Sequence, residues 1–445
     1  MSYNQDKRPF EFASKSNHTH LIKDDEIQGF LSNCSIPYSR EEIELEENLL
    51  FEVDYSIEDN IKFIVAVDGG DTTIPVRDKF PSSSMTFFQF GANLLSIDDL
   101  AELKKTPFID PKDISKLKEL DRIKLALPTK NLAKKDAEKG RATLTYFVRE
   151  TLFNFFKRQG YLETLRWFLF EEYKTQPEET YVISTNPEDE EGKKYTINRE
   201  RDLTEDYRVK TEKGSFFLTD VFRLHEAIDE DLGAGGVIAY IRNLVEHFII
   251  IHTLKGLYEQ RKETVKNVIF IKDGVLAFFG QTANMHAPMR NLLNFLSANN
   301  VNVNLVGVEK SGAFVEHAME IKDNLNKGQY FLLSNNYIYK YIKPGDPNTS
   351  EPFGKTSYYS SKLFFKTRDD KVYVLTLPSS DRDYVLNPKK DHLNGIDVIL
   401  KHIELLKSDM YDNSLLPIAL ANKLVSISDH PSSSILEKFA KKSIL

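Results

Sequence analysis

The chain has 445 residues, enough for one elaborated domain or two ordinary ones with a substantial core. An aromatic content of 11% excludes a disordered chain, and a formal net charge of −8 excludes a protein that holds nucleic acid through a surplus of basic surface. The single cysteine, Cys34, excludes an internal disulfide and a cysteine-based zinc site.

The N-terminal region has neither the basic-then-apolar pattern of a signal peptide nor a long apolar run. The most apolar uncharged stretch of the whole chain, 248–254, is far shorter than the roughly 20 residues that a membrane span needs. We therefore predict a cytoplasmic protein with no membrane segment. Residues 1–56 are polar and predict an N-terminal extension that packs on a partner, with helical patterning at 24–32 and 41–51.

A short apolar β-branched run predicts the first strand, 61–67, which ends at Asp68 and two glycines. A second strand is predicted at 85–90. Residues from about 95 to 225 are predicted to form a large insertion, which is charged and lysine-rich as far as 140 and in which apolar residues at helical spacing indicate helices from 142 and from 162. Within it, 186–206 is dense in charge of both signs and predicts a surface segment. Shorter strand-like runs lie at 181–184 and 215–218.

A basic run inside the predicted insertion is the best local candidate for contact with nucleic acid. Such a run is more often the solvated face of a helix or loop, and this is the reading we favour. Its members are Lys130, Lys134, Lys135, Lys139 and Arg141.

A long helix is predicted from about 237 to 260, because apolar residues cover most of its circumference. Glu246 lies inside this apolar helix, one turn after Arg242. A buried carboxylate is costly unless it is paired or binds a metal. Both an ion pair with Arg242 and a metal-binding role for Glu246 are therefore open.

The run at 268–271 predicts a strand that is buried on both faces and is followed by Asp273 and Gly274. Asp-Gly alone often marks a turn, but here the design of Asp68-Gly69 is repeated. Two buried strands that each deliver an acid to the crevice at their carboxyl ends indicate a cation site. Without a cation, at least one of the two acids should have a raised pKa, because the carboxylates repel each other.

The remaining chain continues to alternate helices and strands, without an internal repeat. The strand predicted at 303–308 is followed by Lys310, whose ammonium group is placed to neutralise charge on a phosphate. Helices are predicted at 286–298, from 393, at 415–427 and after Pro431, and strands at 330–333, 363–366 and 373–377.

The order of these motifs resembles the NurA family of nucleases. VAVDGG around Asp68 is similar to the first motif of that family, IKDGVLAFFG around Asp273 to its DGSL motif, and VGVEKSG around Lys310 to the segment that follows. Gly70 and Val275 stand where the family usually has serine. The segment from Ser357 to Lys366 resembles a late strand, and the resemblance covers roughly residues 57–430, leaving 431–445 as a C-terminal helix.

The resemblance implies an α/β fold, an RNase H-like mixed sheet flanked by helices, with a large helical/β insertion and C-terminal helices. It implies a manganese-dependent nuclease that processes DNA ends as a homodimer, beside a hexameric HerA-type ATPase, in DNA repair and end resection or in antiphage defence. Asp68 and Asp273 match the family's metal-binding acids. Glu246 is our choice for the intervening glutamate, and Glu226 and Glu259 are its rivals.

The family also places a histidine on a late helix, where the present sequence, LLPIALANKL, has Asn422. An asparagine binds a metal through its amide oxygen but does not donate a proton near neutral pH. Asp412 and His430 lie close enough in sequence to compensate.

The chemistry of phosphodiester hydrolysis agrees with this set of residues. The reaction needs a nucleophilic water at neutral pH and stabilisation of the leaving oxygen, and two divalent ions about 3.5 to 4 Å apart supply both. Carboxylate ligands suit manganese or magnesium better than zinc.

Two other functions remain open. The run from Asp68 to Thr73 is similar to the first phosphate loop of actin-like ATPases, although Asp273-Gly274 lacks the hydroxyl residue of the second loop. The chain could also be a catalytically inactive NurA-like subunit that regulates a translocase, which the replacement at Asn422 and the two missing serines favour.

Overall fold

The computed structural model of the chain describes residues 20–34, 38–99, 118–135, 143–187, 189, 191–212, 214–348, 350–408, 414–427 and 432–444. The strands, in chain order, are β1 (Leu50–Glu52), β2 (Phe63–Arg77), β3 (Ser83–Ser96), β4 (Lys118–Lys130), β5 (Thr180–Ile183), β6 (Tyr195–Asn198), β7 (Arg208–Thr211), β8 (Gly214–Phe217), β9 (Val268–Asp273), β10 (Asn304–Glu309), β11 (Gln329–Leu332), β12 (Ser360–Lys366) and β13 (Val372–Pro378).

Nine of these strands form one mixed sheet, in the order β1-β11-β12-β13-β10-β9-β2-β3-β4. β2, β3 and β4 make an antiparallel meander, and β9 and β10 run parallel to β2. The order β4-β3-β2-β9-β10, with two parallel strands added to the first strand of a meander, is that of an RNase H-like fold. β13, β12, β11 and β1 continue the sheet with antiparallel pairs. The predicted fold class is confirmed.

Helices cover both faces of this sheet. The helices of the described residues, in chain order, are α1 (Asp25–Ser32), α2 (Leu144–Arg158), α3 (Tyr161–Leu169), α4 (Ile238–Arg261), α5 (His286–Ala298), α6 (Ala313–Glu320), α7 (Asn335–Tyr337), α8 (Ile396–Leu406), α9 (Leu416–Val425) and α10 (Ser432–Ile444).

Two hydrophobic clusters hold these layers together. Successive side chains of a strand point to opposite faces, so Phe270 of β9 joins the cluster built with α2, α3, α4 and α5, and Ile271 joins the cluster built with α6, α8 and α9. Both residues are fully buried. This explains why β9 has an uninterrupted apolar sequence instead of an alternating one.

The helices predicted from 142, 162, 237 and 286 are confirmed as α2, α3, α4 and α5. α4 belongs to the one helical stretch in the described residues, 235–267, that is long and apolar enough to cross a membrane. Most of its apolar window is buried inside the fold, in the cluster between the sheet and its neighbouring helices. The interpretation of this element as a buried helix is therefore confirmed.

The first predicted strand is too short. β2 continues to Arg77, so Asp68 lies within the strand and does not end it. The reason is the partner strand, because β3 pairs with β2 along the whole length from Phe63 to Arg77. The parallel neighbour β9 behaves as predicted and ends at Asp273.

The segments predicted as an insertion and as an N-terminal extension each contribute a strand to the main sheet. Part of the predicted insertion, 95–225, forms β4 at one edge of the sheet and the core helices α2 and α3. Part of the predicted extension, 1–56, forms β1 at the other edge, and the helix predicted at 41–51 is replaced by two short 3-10 turns before that strand. α1 has no buried residue.

Candidate active site

The cleft that holds the predicted residues opens where β9 ends and β2 continues. The last pair between these strands is Val67 with Lys272, and Asp68 and Asp273 follow it on neighbouring strands. By the alternation of side chains, both acids point toward the α9 side of the sheet. The cleft has a volume of about 580 Å³, and its lining includes all five predicted site residues: Asp68, Glu246, Asp273, Lys310 and Asn422.

Asp68 is the acid of the cleft that has no ion-pair partner among the described residues. It is 5% exposed, and its Oδ1 accepts a hydrogen bond from the Gly69 backbone N–H at 2.8 Å. Burial raises the pKa of Asp68 to about 8, and the negative charges of Asp273 and Glu246 act in the same direction. The predicted raised pKa is therefore confirmed, and Asp68 is the residue that carries it.

Glu246 reaches the same cleft from α4, on the opposite face of the sheet. Gly69 makes this approach possible, because a Cβ atom at position 69 would lie 2.9 Å from Glu246 Oε1. The carboxylate is buried, and its Oε2 lies 2.7 Å from Lys272 Nζ. Burial raises the pKa of Glu246, while the positive charge of Lys272 acts in the opposite direction.

The alternative partner for Glu246, Arg242, is engaged elsewhere. Its guanidinium group lies 2.9 Å from Asp71 Oδ1 at the rim of the cleft. The rivals of Glu246 also pair outside the cleft: Glu226 with Arg223 at 2.7 Å, and Glu259 with Lys255 at 3.1 Å. Of the three candidate glutamates, Glu246 is the one that lines the cleft with Asp68 and Asp273.

Lys310 follows the end of β10 and points into the cleft. Its Nζ lies 2.8 Å from Asp273 Oδ2, and about a quarter of each side chain remains exposed. The ammonium group is therefore positioned by an acid of the cleft and open to an incoming ligand.

Asn422 lies on α9, which closes the cleft from the other side. The helix packs so tightly on the sheet that a Cβ atom at Gly70 would lie 2.7 Å from the Val425 carbonyl oxygen. A serine at position 70 would collide with this backbone atom, which explains the glycine at that position of the first motif. Asp412 and His430, the possible substitutes for a histidine, lie outside the described residues.

This packing gives a stability prediction. We expect Gly70→Ser to lower the free energy of unfolding by about 1–3 kcal/mol, because α9 must shift to admit the new side chain. The matched control is Gly256→Ala in the interior of α4, where a Cβ atom meets nothing within 4 Å. This control should raise stability by about 0.5–1 kcal/mol. Denaturant unfolding of both variants measures the difference, and a neutral Gly70→Ser would show that α9 is not packed in this way.

Three charged residues of the cleft were not predicted from the sequence. Lys272 is buried beside Glu246, Asp71 pairs with Arg242, and Glu309 pairs with Lys362. For Lys272 a signal was present, because a lysine interrupts the apolar run of a buried strand.

The predicted basic run is only partly described: Lys134 pairs with Glu150 at 2.6 Å, and Lys139 and Arg141 lie outside the described residues.

The donor atoms of the cleft suit a hard divalent cation. Acids outnumber basic residues among the lining residues, and the nearly buried Asp68 has no ion-pair partner in the part of the chain that the structure describes. Within those same residues, however, no three acids or histidines are already gathered as a closed set of ligands. Lys272 and Lys310 each hold one of the acids through one carboxylate oxygen, so a bound metal would share these carboxylates with the lysines or displace them.

The segment from Asp68 to Thr73 is not a phosphate-binding turn. It lies inside β2 and pairs continuously with β3, from Asp68 with Gly91 to Thr73 with Thr86. After Asp273, the Gly274 N–H donates a hydrogen bond to the Val308 carbonyl at 2.8 Å. Both observations disfavour an actin-like ATPase, which needs two glycine-rich turns with free backbone N–H groups.

No known protein-family description and no curated protein matches the sequence. Among solved structures, the chain is similar to the NurA nuclease from Sulfolobus solfataricus, with 9% identity, 97% of each chain covered and a TM-score of 0.34. It is also similar to a second NurA structure, with 12% identity, 96% of this chain and 97% of that chain covered, and a TM-score of 0.27. A NurA structure with manganese follows, with 11% identity, 92% of each chain and a TM-score of 0.18.

Proposed function

We propose that this chain is a divalent-metal-dependent nuclease that hydrolyses phosphodiester bonds in DNA. The observation that carries the proposal is the meeting of Asp68, Glu246 and Asp273 in one open cleft, although they come from three separate elements. Burial and the charges of Glu246 and Asp273 raise the pKa of Asp68, and a buried acid without a partner is costly to the fold. A cation is the ligand that relieves this cost, and Lys310 beside the acids suits a phosphate group.

Each residue of the cleft has a distinct role in this proposal. Asp68, Glu246 and Asp273 would hold manganese or magnesium, most simply as two ions, through carboxylate oxygens. Divalent ions, when bound, neutralise the phosphate and provide a nucleophilic hydroxide at neutral pH. Lys310 Nζ, positioned by Asp273, binds a non-bridging oxygen of the phosphate. The Asn422 amide would bind and orient the metal or the phosphate. It does not act as a general acid for the leaving oxygen near neutral pH.

The substrate and partners follow from charge and from the family resemblance. The chain has a net charge of −8, and its exposed cations at the cleft are local, mainly Lys310 and Arg242. Such a surface binds DNA weakly on its own. We therefore propose a homodimer that receives DNA ends from a hexameric ATPase of the HerA type.

The activity is tested by incubating the purified chain with linear and circular duplex DNA in MnCl₂, MgCl₂ or EDTA. We expect products from linear DNA with manganese, fewer or none with magnesium, and none with EDTA. The control variant is Glu259→Gln, which removes a carboxylate of α4 that lies outside the cleft and should leave cleavage unchanged. Cleavage that persists in EDTA would contradict a metal-dependent reaction.

A second function, an inactive regulatory subunit of a translocase, is favoured by two features of the cleft. Two of the three acids are already paired with lysines, and Asn422 replaces a proton donor. A chain of this kind would bind the ATPase and change its rate without cleaving DNA under any metal condition. The absence of cleavage together with a changed ATPase rate would select this alternative.

The partner proposal gives its own prediction. In sedimentation velocity, the isolated chain should run as a dimer and bind a duplex end weakly at 150 mM salt, with tight DNA binding appearing only when a HerA-type ATPase is added. The physical reason is that the few basic side chains at the cleft neutralise few phosphates, so few counterions are released from the DNA on binding. A monomer that binds duplex DNA tightly at that salt concentration would overturn the proposal.

A further inference from the structure

Lys272 is a buried lysine in an otherwise apolar strand. It is 2% exposed and follows four fully or almost fully buried apolar residues of β9. A lysine in such a place stabilises the fold only if its charge is compensated, since removing an ammonium group from water is costly. The partners of Lys272 should therefore explain why a lysine is present at this position.

Both hydrogen-bond partners of Lys272 belong to the cleft. Its Nζ lies 2.7 Å from Glu246 Oε2 and donates a hydrogen bond to the backbone carbonyl oxygen of Asp273 at 2.8 Å. The ammonium group thus sits between one acid of the candidate metal set and the backbone of another. A cation bound by the acids would approach the same carboxylate.

Other buried lysines in the described residues are located differently. Lys255 of α4 pairs with Glu163 and Glu259, and Lys366 of β12 donates to the carbonyl oxygens of Lys322 and Leu325. None of these partners lines the cleft, whereas a further buried lysine, Lys362, pairs with Glu309, which lines the cleft but is not one of the proposed metal-binding acids. Among the buried lysines of the described residues, Lys272 is the one whose partner is an acid of the proposed metal set.

We propose that Lys272 is a built-in counter-cation of the cleft, which neutralises Glu246 in the absence of metal and competes with a divalent ion for that carboxylate. This inference rests on the proposed function, because it assumes that the acids of the cleft bind a metal. Lys272 acts on the metal through Glu246 and its own charge, so it is a positioning residue.

The competition determines which cations bind. A monovalent ion at Glu246 gains no more charge neutralisation than the ammonium group already provides. A divalent ion brings one further charge and also satisfies Asp68 and Asp273, so it displaces the lysine or shares the carboxylate with it. The positive charge of Lys272 therefore weakens metal binding, and its removal should tighten binding about tenfold or more.

The test compares thermal unfolding of the native chain and of Lys272→Met, each with and without MnCl₂. Methionine has a similar length and no charge. Without metal, the variant should unfold at a lower temperature, because Glu246 is left buried without its partner. Manganese should then raise its melting temperature by more than it raises that of the native chain, since tighter binding gives a larger stabilisation at one concentration.

The matched control is Lys255→Met, which removes a largely buried lysine from α4, outside the cleft. It should also lower the melting temperature, but its manganese increment should equal the native one. A second variant, Lys272→Arg, keeps the charge and should keep the native increment.

The outcomes separate this inference from the proposed function. If the native chain gains no stability from manganese, the proposed metal-dependent function fails. If the native chain gains stability and Lys272→Met gains the same amount or less, Lys272 is only structural and the inference is overturned. If Lys272→Met folds only when manganese is added, the inference is supported, whereas a variant that stays unfolded with manganese contradicts it.

Discussion

Changing Asp273 to asparagine should abolish metal-dependent DNA cleavage, with a fall in rate of about a thousandfold or more. The reason is that Asp273 is proposed to hold the ions that stabilise charge in the transition state, a contribution of several kcal/mol. Stability should change little, because the pair with Lys310 is partly exposed and such pairs contribute about 0–1 kcal/mol. Rates of cleavage of a labelled linear duplex, measured beside melting temperatures, test both parts.

The control for this variant is Asp370→Asn. Asp370 is also held by lysines, Lys322 at 2.7 Å and Lys366 at 3.2 Å, but it lies away from the cleft. The Asp370→Asn variant should cleave DNA at the native rate. If Asp273→Asn cleaves as fast as Asp370→Asn does, Asp273 is a strand-ending residue without a catalytic role.

Changing Glu246 to glutamine should abolish cleavage and also destabilise the fold by about 3–5 kcal/mol. Replacing a buried carboxylate that has no partner would have a neutral or favourable effect on stability, because a buried charge is removed. The structure changes this expectation: Lys272 lies 2.7 Å from Glu246 and would be left buried without a partner. Cleavage rates and denaturant unfolding of the purified variant measure the two effects.

A double variant, Glu246→Gln with Lys272→Met, removes both charges and should recover much of the lost stability without recovering cleavage. If the double variant is as unstable as Glu246→Gln alone, the two residues do not act as a pair. If Glu246→Gln still cleaves DNA, another residue is the third acid of the site.

Strand β9 and the core helices followed from the sequence, because their signals are local. The apolar run of β9 and the helical spacing in α2 and α4 each fix one element without knowledge of its neighbours. The length of β2 did not follow in the same way. Its second half is polar and glycine-rich, and it is a strand because β3 pairs with it.

Sequence patterns were enough to predict five residues that line one cleft, but not the contacts of those residues. Repeated Asp-Gly pairs after apolar runs were enough to bring Asp68 and Asp273 to one cleft, and the apolar helix singled out Glu246. One of the two alternatives for Glu246, an ion pair with Arg242, was wrong. Helical spacing suggests that pair because Arg242 lies one turn before Glu246 on α4. Arg242 turns to Asp71 instead, and the actual partner, Lys272, comes from the sheet.

The departures from the family motif became interpretable only in three dimensions. Gly70 stands where a serine was expected because the Val425 carbonyl of α9 occupies that space, a contact between residues far apart in the sequence. Gly69 likewise opens the path for Glu246. No pattern along the chain encodes either contact, since both depend on how helices dock on the sheet.

The most direct test of the central claim is a count of bound manganese by electron paramagnetic resonance, in which free ions give the signal and bound ions are lost from it. The native chain should bind Mn²⁺, up to two ions per chain, and Asp68→Asn should bind fewer ions or bind them much more weakly. Asp370→Asn should bind as the native chain does. If the native chain leaves all the manganese free, or if Asp68→Asn binds as much as the native chain, the acids of the cleft are not a metal site.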